Sequence, residues 1–150
     1  MHIVDYYALD GTRQACAREA IGRGDWKAAK LLRRLLDADA LRERCGPNTR
    51  LLLGMEGEAL AAFCTLADRD EIDTPLTPWI GFVYTFPAFR GARRSGALIE
   101  AACALAREAG FRRVYVSTRE TGLYEKYGFA FMRMARDAWG GETRLYGRDL

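Results

Sequence analysis

The spacing of apolar residues changes several times along the chain, and each change marks an element. Cys16, Ala17, Ala20 and Ile21 recur at i, i+1, i+4 and i+5. That spacing puts them on one helical face, so residues 12–22 read as a helix. Gly22 and Gly24 break it. Asp25 then reads as an N-cap for a second helix that begins Trp26-Lys27-Ala28-Ala29. Leu31, Leu32, Leu35 and Leu36 give this helix a single apolar stripe. The helix, with room for a break, ends before Gly46-Pro47-Asn48. Ahead of both helices, residues 2–8 read as a first strand.

The period then shortens. Leu51-Leu52-Leu53 and the run Leu60 to Leu66 flank the turn Met55-Glu56-Gly57-Glu58, which predicts an antiparallel hairpin. An acidic, Pro-containing loop runs from Asp68 to Pro78. Residues 79–86 are aromatic and β-branched, hence a strand, and Pro87 stops it. From Arg93 a helix places Leu98, Ile99, Ala102, Leu105 and Ala106 on one face, and Gly110 ends it. Val114-Tyr115-Val116 follows as a buried strand. Strand, crossover helix and strand imply a parallel pair with a right-handed connection. A short helix over Leu123–Tyr127 ends at Gly128. Phe129–Met132 and Thr143–Tyr146 read as the last two strands, turning near Gly140-Gly141. The order predicts an α/β class, α+β in its mixing: one mixed sheet flanked by helices.

Composition narrows the function. A length of 150 residues suits one domain, residues 1–150, with 49% hydrophobic and 29% charged positions. The net charge of +3 is too mild to point to nucleic acid. Cys16, Cys45, Cys64 and Cys103 form no C-x-x-C pair, and three of the four read as small core residues. The one histidine, His2, lies at a terminus, which argues against a His-ligated zinc site and a Ser-His-Asp triad. No metal is expected. No run of about 18 apolar residues exists, so no membrane span is expected. With no signal-peptide pattern, the expected location is cytoplasmic.

The chemistry concentrates in Pro87-Ala88-Phe89-Arg90-Gly91-Ala92-Arg93-Arg94-Ser95-Gly96-Ala97-Leu98. A strand ends, small residues turn the chain, and a helix begins. Such a helix start has unpaired N–H groups and partial positive charge. Small residues admit a ligand to the backbone, and arginines supply paired phosphate donors. A pyrophosphate site is the functional reading, and a charged helix end without ligand is the plain alternative. Neither G-x-x-x-x-G-K-S/T nor G-x-G-x-x-G occurs, which removes the Walker-type P-loop and the dinucleotide fold.

This segment resembles the acetyl-CoA-binding motif of the GNAT superfamily of N-acetyltransferases, whose pattern is Q/R-x-x-G-x-G/A. Arg90 matches its first position. Arg93 stands where the superfamily has Gly, and Ser95 stands at the final small position. A second feature, an apolar residue, Tyr, three residues, Gly and Phe, is matched by Leu123-Tyr124-Glu125-Lys126-Tyr127-Gly128-Phe129. Two motifs in the right order, about thirty residues apart, are more specific than either alone. The resemblance is firm over residues 50–132 and looser elsewhere. It implies a central, mostly antiparallel sheet split by a parallel strand pair.

It also implies acetyl-CoA as co-substrate and direct transfer to a primary amine in a ternary complex. The acceptor, a small amine or a peptide or protein amine, stays open. A non-catalytic coenzyme A-binding sensor is the competing function. Relatives often form homodimers. Backbone groups of Val83, Tyr84 and Thr85 would pair with the pantetheine arm, and one N–H would polarise the thioester carbonyl. Arg90, Gly91, Ala92, Arg93, Arg94, Ser95 and Gly96 would cradle the pyrophosphate. Arg93 and Arg94 read equally well as a solvated helix face. Tyr124 would act as general acid toward the leaving thiolate, or else simply pack before Gly128. Asp70, Glu71 and Asp73 are the candidate bases in the acidic loop, and solvated surface is their plain reading. Trp26, Trp79 and Trp139 are candidates to line the acceptor site.

Overall fold

The computed structural model describes residues 1–150. Seven strands form one sheet: β1 (His2–Asp5), β2 (Arg50–Glu56), β3 (Ala59–Ala67), β4 (Trp79–Thr85), β5 (Arg113–Thr118), β6 (Ala130–Arg136) and β7 (Glu142–Asp149). Their spatial order is β1-β2-β3-β4-β5-β7-β6. Every neighbouring pair is antiparallel except β4 and β5, which are parallel. Four helices flank the sheet: α1 (Gly11–Gly22), α2 (Lys27–Asp37), α3 (Leu41–Cys45) and α4 (Arg94–Glu108). The mixed, mostly antiparallel sheet split by one parallel pair matches the expected fold class.

The sheet is covered on both faces, which explains the unbroken apolar runs in β2 and β3. Successive side chains of a strand point to opposite faces. Leu52 thus joins a core with Cys64, Ile80 and Val116 beneath Leu98, Ile99 and Ala102 of α4. Its neighbours Leu51 and Leu53 join Phe63 on the other face, beneath Ile21 of α1 and Leu32 and Leu36 of α2. Each such aliphatic side chain, fully buried, contributes roughly 1.5–3 kcal/mol.

Several local expectations change. The first strand ends at Asp5, whose side chain accepts from the Tyr7 amide at 3.0 Å and turns the chain into a 3-10 turn over Tyr6–Ala8. The second helix starts at Lys27 with Trp26 at the cap position, and Asp25 does not cap it. The Asp25 amide instead donates to the Tyr84 hydroxyl at 3.0 Å. The break anticipated in this helix falls between α2 and α3, and Asp39 there has φ of 52°. Cys64 and Cys103 are buried, Cys45 is partly so and Cys16 is exposed, so two cysteines rather than three belong to the core. No helix is long and apolar enough to cross a membrane.

Candidate active site

The site begins with a defect in β4. Between the pairs Phe63↔Tyr84 and Thr65↔Gly81, β3 advances two residues while β4 advances three. The surplus residue is a β-bulge, and Phe82 takes a left-handed φ of 48° to make it. A bulky side chain in that region is strained, and such strain concentrates at functional positions. On its other edge, β4 meets β5 at one register pair only, Trp79↔Tyr115. Beyond that point the two parallel strands part. One edge of β4 from Ile80 to Thr85 therefore has no strand partner, and its residues Ile80 to Val83 line a cavity of about 250 Å³.

At the far end of β4 the chain makes a 3-10 turn over Pro87–Phe89 and enters α4. None of the amides of Gly91, Ala92, Arg93, Arg94, Ser95 and Gly96 has a backbone acceptor. Of these residues, Gly91, Arg93, Arg94 and Ser95 line a second cavity, of about 420 Å³. Six free N–H groups at the positive end of a helix suit the diphosphate of a coenzyme. Arg93 is the N-cap with φ of 56°, left-handed, which is the physical reason Gly is favoured at this position of the motif.

The three arginines differ in their ties. Arg94 donates from Nε to Glu56 Oε1 at 3.0 Å and from Nη1 to the Phe89 carbonyl at 2.6 Å. It is a brace for the turn. Arg90 donates from Nε to the Thr85 carbonyl at 3.0 Å, which leaves its terminal nitrogens free. Arg93 is exposed and its guanidinium is bound to nothing. Thr85 and Ser95 lock the strand end to the helix start through hydroxyls 2.7 Å apart. Gly96 has a packing duty, because a Cβ there would lie 2.9 Å from the Tyr127 ring.

Tyr124 opens the 3-10 turn Tyr124–Tyr127 and lines the cavity between the parted strands. Its ring is held edge-on by Phe129 at 5.7 Å and Tyr127 at 6.4 Å. Glu125 fixes the turn by accepting from the Gly122 amide at 3.2 Å and the Tyr146 hydroxyl at 3.4 Å. Burial pushes the Tyr124 hydroxyl well above the ordinary phenol range, so it stays protonated at neutral pH.

A third cavity, of about 330 Å³, adjoins the first, and the two share Trp26, Gly81, Phe82 and Ser117. It receives Asp70, Glu71 and all three tryptophans. Asp73 is not among its walls. Glu71 is tied to Arg44 at 2.7 Å. Asp70 accepts from the Ser117 hydroxyl at 2.7 Å. Burial raises the Asp70 carboxyl above the usual range, against the lowering effect of the Ser117 and Glu71 hydrogen bonds. Sequence reasoning missed Ser117. Its only signal was a small polar residue closing the apolar run of β5. The bulge was also missed, since Trp79 to Phe86 is apolar nearly throughout. No group of three His, Cys, Asp or Glu side chains converges as a metal site would require.

Three cavities thus lie in series along the β4–β5 split, with Val83, Ser95 and Tyr127 shared at the α4 end. A family model described as the acetyltransferase (GNAT) family matches residues 18–129. No curated protein sequence matches the chain. Among solved structures, a GNAT-family protein from Desulfovibrio desulfuricans superposes with TM-score 0.71 at 14% identity, covering 99% of this chain and 98% of that one. An acetyltransferase from Streptococcus agalactiae gives 0.67 at 20% identity, covering 99% and 98%. A GNAT-family acetyltransferase from Elizabethkingia anophelis, solved with acetyl-CoA bound, gives 0.66 at 15% identity, covering 99% and 97%.

Proposed function

The chain belongs to the GNAT acetyltransferase family, and we propose that it carries an acetyl group from acetyl-CoA to a primary amine by direct attack. The observation that supports this most is the series of three cavities. One end offers free amides and arginine, the middle offers an unpaired strand edge and a phenol, and the far end offers a carboxylate.

The residues divide the work as follows. The amides from Gly91 to Gly96 and the free nitrogens of Arg90 and Arg93 hold the diphosphate. The unpaired edge of β4 at Val83, Tyr84 and Thr85 takes the pantetheine arm as a strand would. An N–H of that edge donates to the thioester oxygen and stabilises its developing charge.

The amine arrives as an ammonium ion. The Asp70 carboxylate removes one proton, and the neutral nitrogen attacks the thioester carbonyl carbon. A carbon–nitrogen bond forms, the carbon–sulfur bond breaks, and the nitrogen's second proton passes to solvent water, to which Asp70 also returns the first. Tyr124 gives its proton to the departing sulfur and recovers one from solvent. Asp70 suits the base better than Glu71, because Arg44 already holds Glu71. Ser117 orients the Asp70 carboxylate.

Thiol release during amine acetylation tests the assignment. Tyr124→Phe keeps the ring packing and removes only the acid, so kcat should fall roughly a hundredfold, within the usual range for a lost proton donor. The KM for acetyl-CoA should hold. Unchanged turnover in Tyr124→Phe would remove the phenol from the mechanism. Tight acetyl-CoA binding with no transfer to any amine would favour a coenzyme A sensor instead.

A further inference from the structure

The far cavity has a composition that acetyl transfer alone does not require. Its charged lining is Asp70, Glu71, Arg44 and Arg69. Glu71 and Arg44 neutralise each other at 2.7 Å. Arg69 is exposed and donates to the Glu43 carbonyl at 3.1 Å. Asp70 has no cation. Its partners are the Ser117 hydroxyl at 2.7 Å and a backbone amide. A part-buried carboxylate without a counter-charge draws one in, and a single positive charge completes it. A second positive charge finds no second free carboxylate in this lining, because Glu71 is held by Arg44, and it would meet Arg69.

Around that carboxylate the walls are aromatic. Trp26, Trp79, Phe82 and Trp139 all open onto the cavity. Trp139 is 74% exposed and Trp26 is 37% exposed, so two indoles stand partly in water beside one hollow. Indole faces hold flat apolar groups and attract cations. Arg44 already lies 5.9 Å from the Trp139 ring centroid. A volume of about 330 Å³ is at the small end for ligand sites and suits one ring with a short chain.

From this arrangement the geometry points to an arylalkylamine as acceptor: a primary amine with one positive charge and an aromatic ring on a short chain. This rests on the acetyl-transfer reading of the same site. Asp70 binds the ammonium group and the tryptophans take the ring. A polyamine carries surplus charge for which this lining holds no free carboxylate. An amino acid places its own carboxylate beside Asp70, where like charges repel. A protein N-terminus brings polar amides against apolar walls that cannot pair them.

The test uses the full chain with saturating acetyl-CoA and follows thiol release with 2-phenylethylamine, spermidine and phenylalanine. The kcat/KM for 2-phenylethylamine should exceed the other two by about tenfold or more, the ratio that one lost or mismatched charge contact produces. Trp139→Ala, at a solvent-exposed position, should raise the KM for 2-phenylethylamine about fivefold while leaving the KM for acetyl-CoA alone. Preference for spermidine or phenylalanine, or an unmoved KM in Trp139→Ala, overturns the arylalkylamine assignment and leaves acetyl transfer standing. No thiol release with any of the three also overturns it. In that case, melting with and without acetyl-CoA shows whether cofactor binding has failed with it.

Discussion

Single residues carry most of the site's chemistry, and two of them work against the fold. The Asp70 carboxyl is raised by burial, with Glu71 and Asp137 nearby adding like charge and Ser117 opposing it. A folded pKa above the unfolded one means that ionising Asp70 destabilises the native state. That cost is absent below the unfolded carboxylate range, grows as pH rises through the folded value, and is complete above it. Asp70→Asn should therefore raise the melting temperature at neutral pH and lose that advantage in acid, while abolishing transfer. Parallel melting curves at pH 7 and below pH 4 check the sign; a destabilised variant at neutral pH would mean that the Ser117 bond outweighs burial. In the unmutated protein, activity should rise through an Asp70 pKa higher than an ordinary carboxylate's. Arg93 is the second case. Its left-handed φ costs roughly 1–2 kcal/mol, and its guanidinium is left free beside the turn. Arg93→Gly should change stability little, since relief of strain is offset by glycine's entropy in the unfolded chain. It should weaken acetyl-CoA binding several-fold, read by titration calorimetry.

Elements position these residues. The bulge at Phe82 and the parting of β4 from β5 past their single register pair fall within the same few residues of β4. The helix α4 meets the Tyr124 turn through Gly96, where a Cβ would come within 2.9 Å of the Tyr127 ring. Gly96→Ala should overpack this contact and destabilise the fold by about 1 kcal/mol or more, measured as a lower denaturant midpoint. Turnover should fall too, because Tyr124 rides on the same turn. At this scale the sequence was readable where period and punctuation agreed. The stripe of α2, the strand–helix–strand run from Trp79 to Val116 and the stop at Gly128 all appear where spacing, Gly and Pro place them. Asp25 did not cap, because the helix starts one residue later with Trp26 at the cap position, and the Asp25 amide meets the Tyr84 hydroxyl, a partner 59 positions away that no local pattern reveals. The bulge was hidden because every residue around it is apolar. Arg90, Arg93 and Arg94 are alike in sequence, and only their partners separate brace from free donor.

The whole molecule is a sheet buried on both faces with its one gap at the parallel pair. The turn into α4, the strand edge, the phenol and the carboxylate come from distant stretches, and the gap brings them into one line. The family match over residues 18–129 and the folds of its relatives accord with that plan. The central claim is that this line binds acetyl-CoA, and thermal unfolding with and without acetyl-CoA tests it most directly. At about 100 times its dissociation constant the ligand should stabilise the fold by about 2.7 kcal/mol, and Arg90→Ala should reduce the shift. A melting temperature unmoved by millimolar acetyl-CoA would contradict the account.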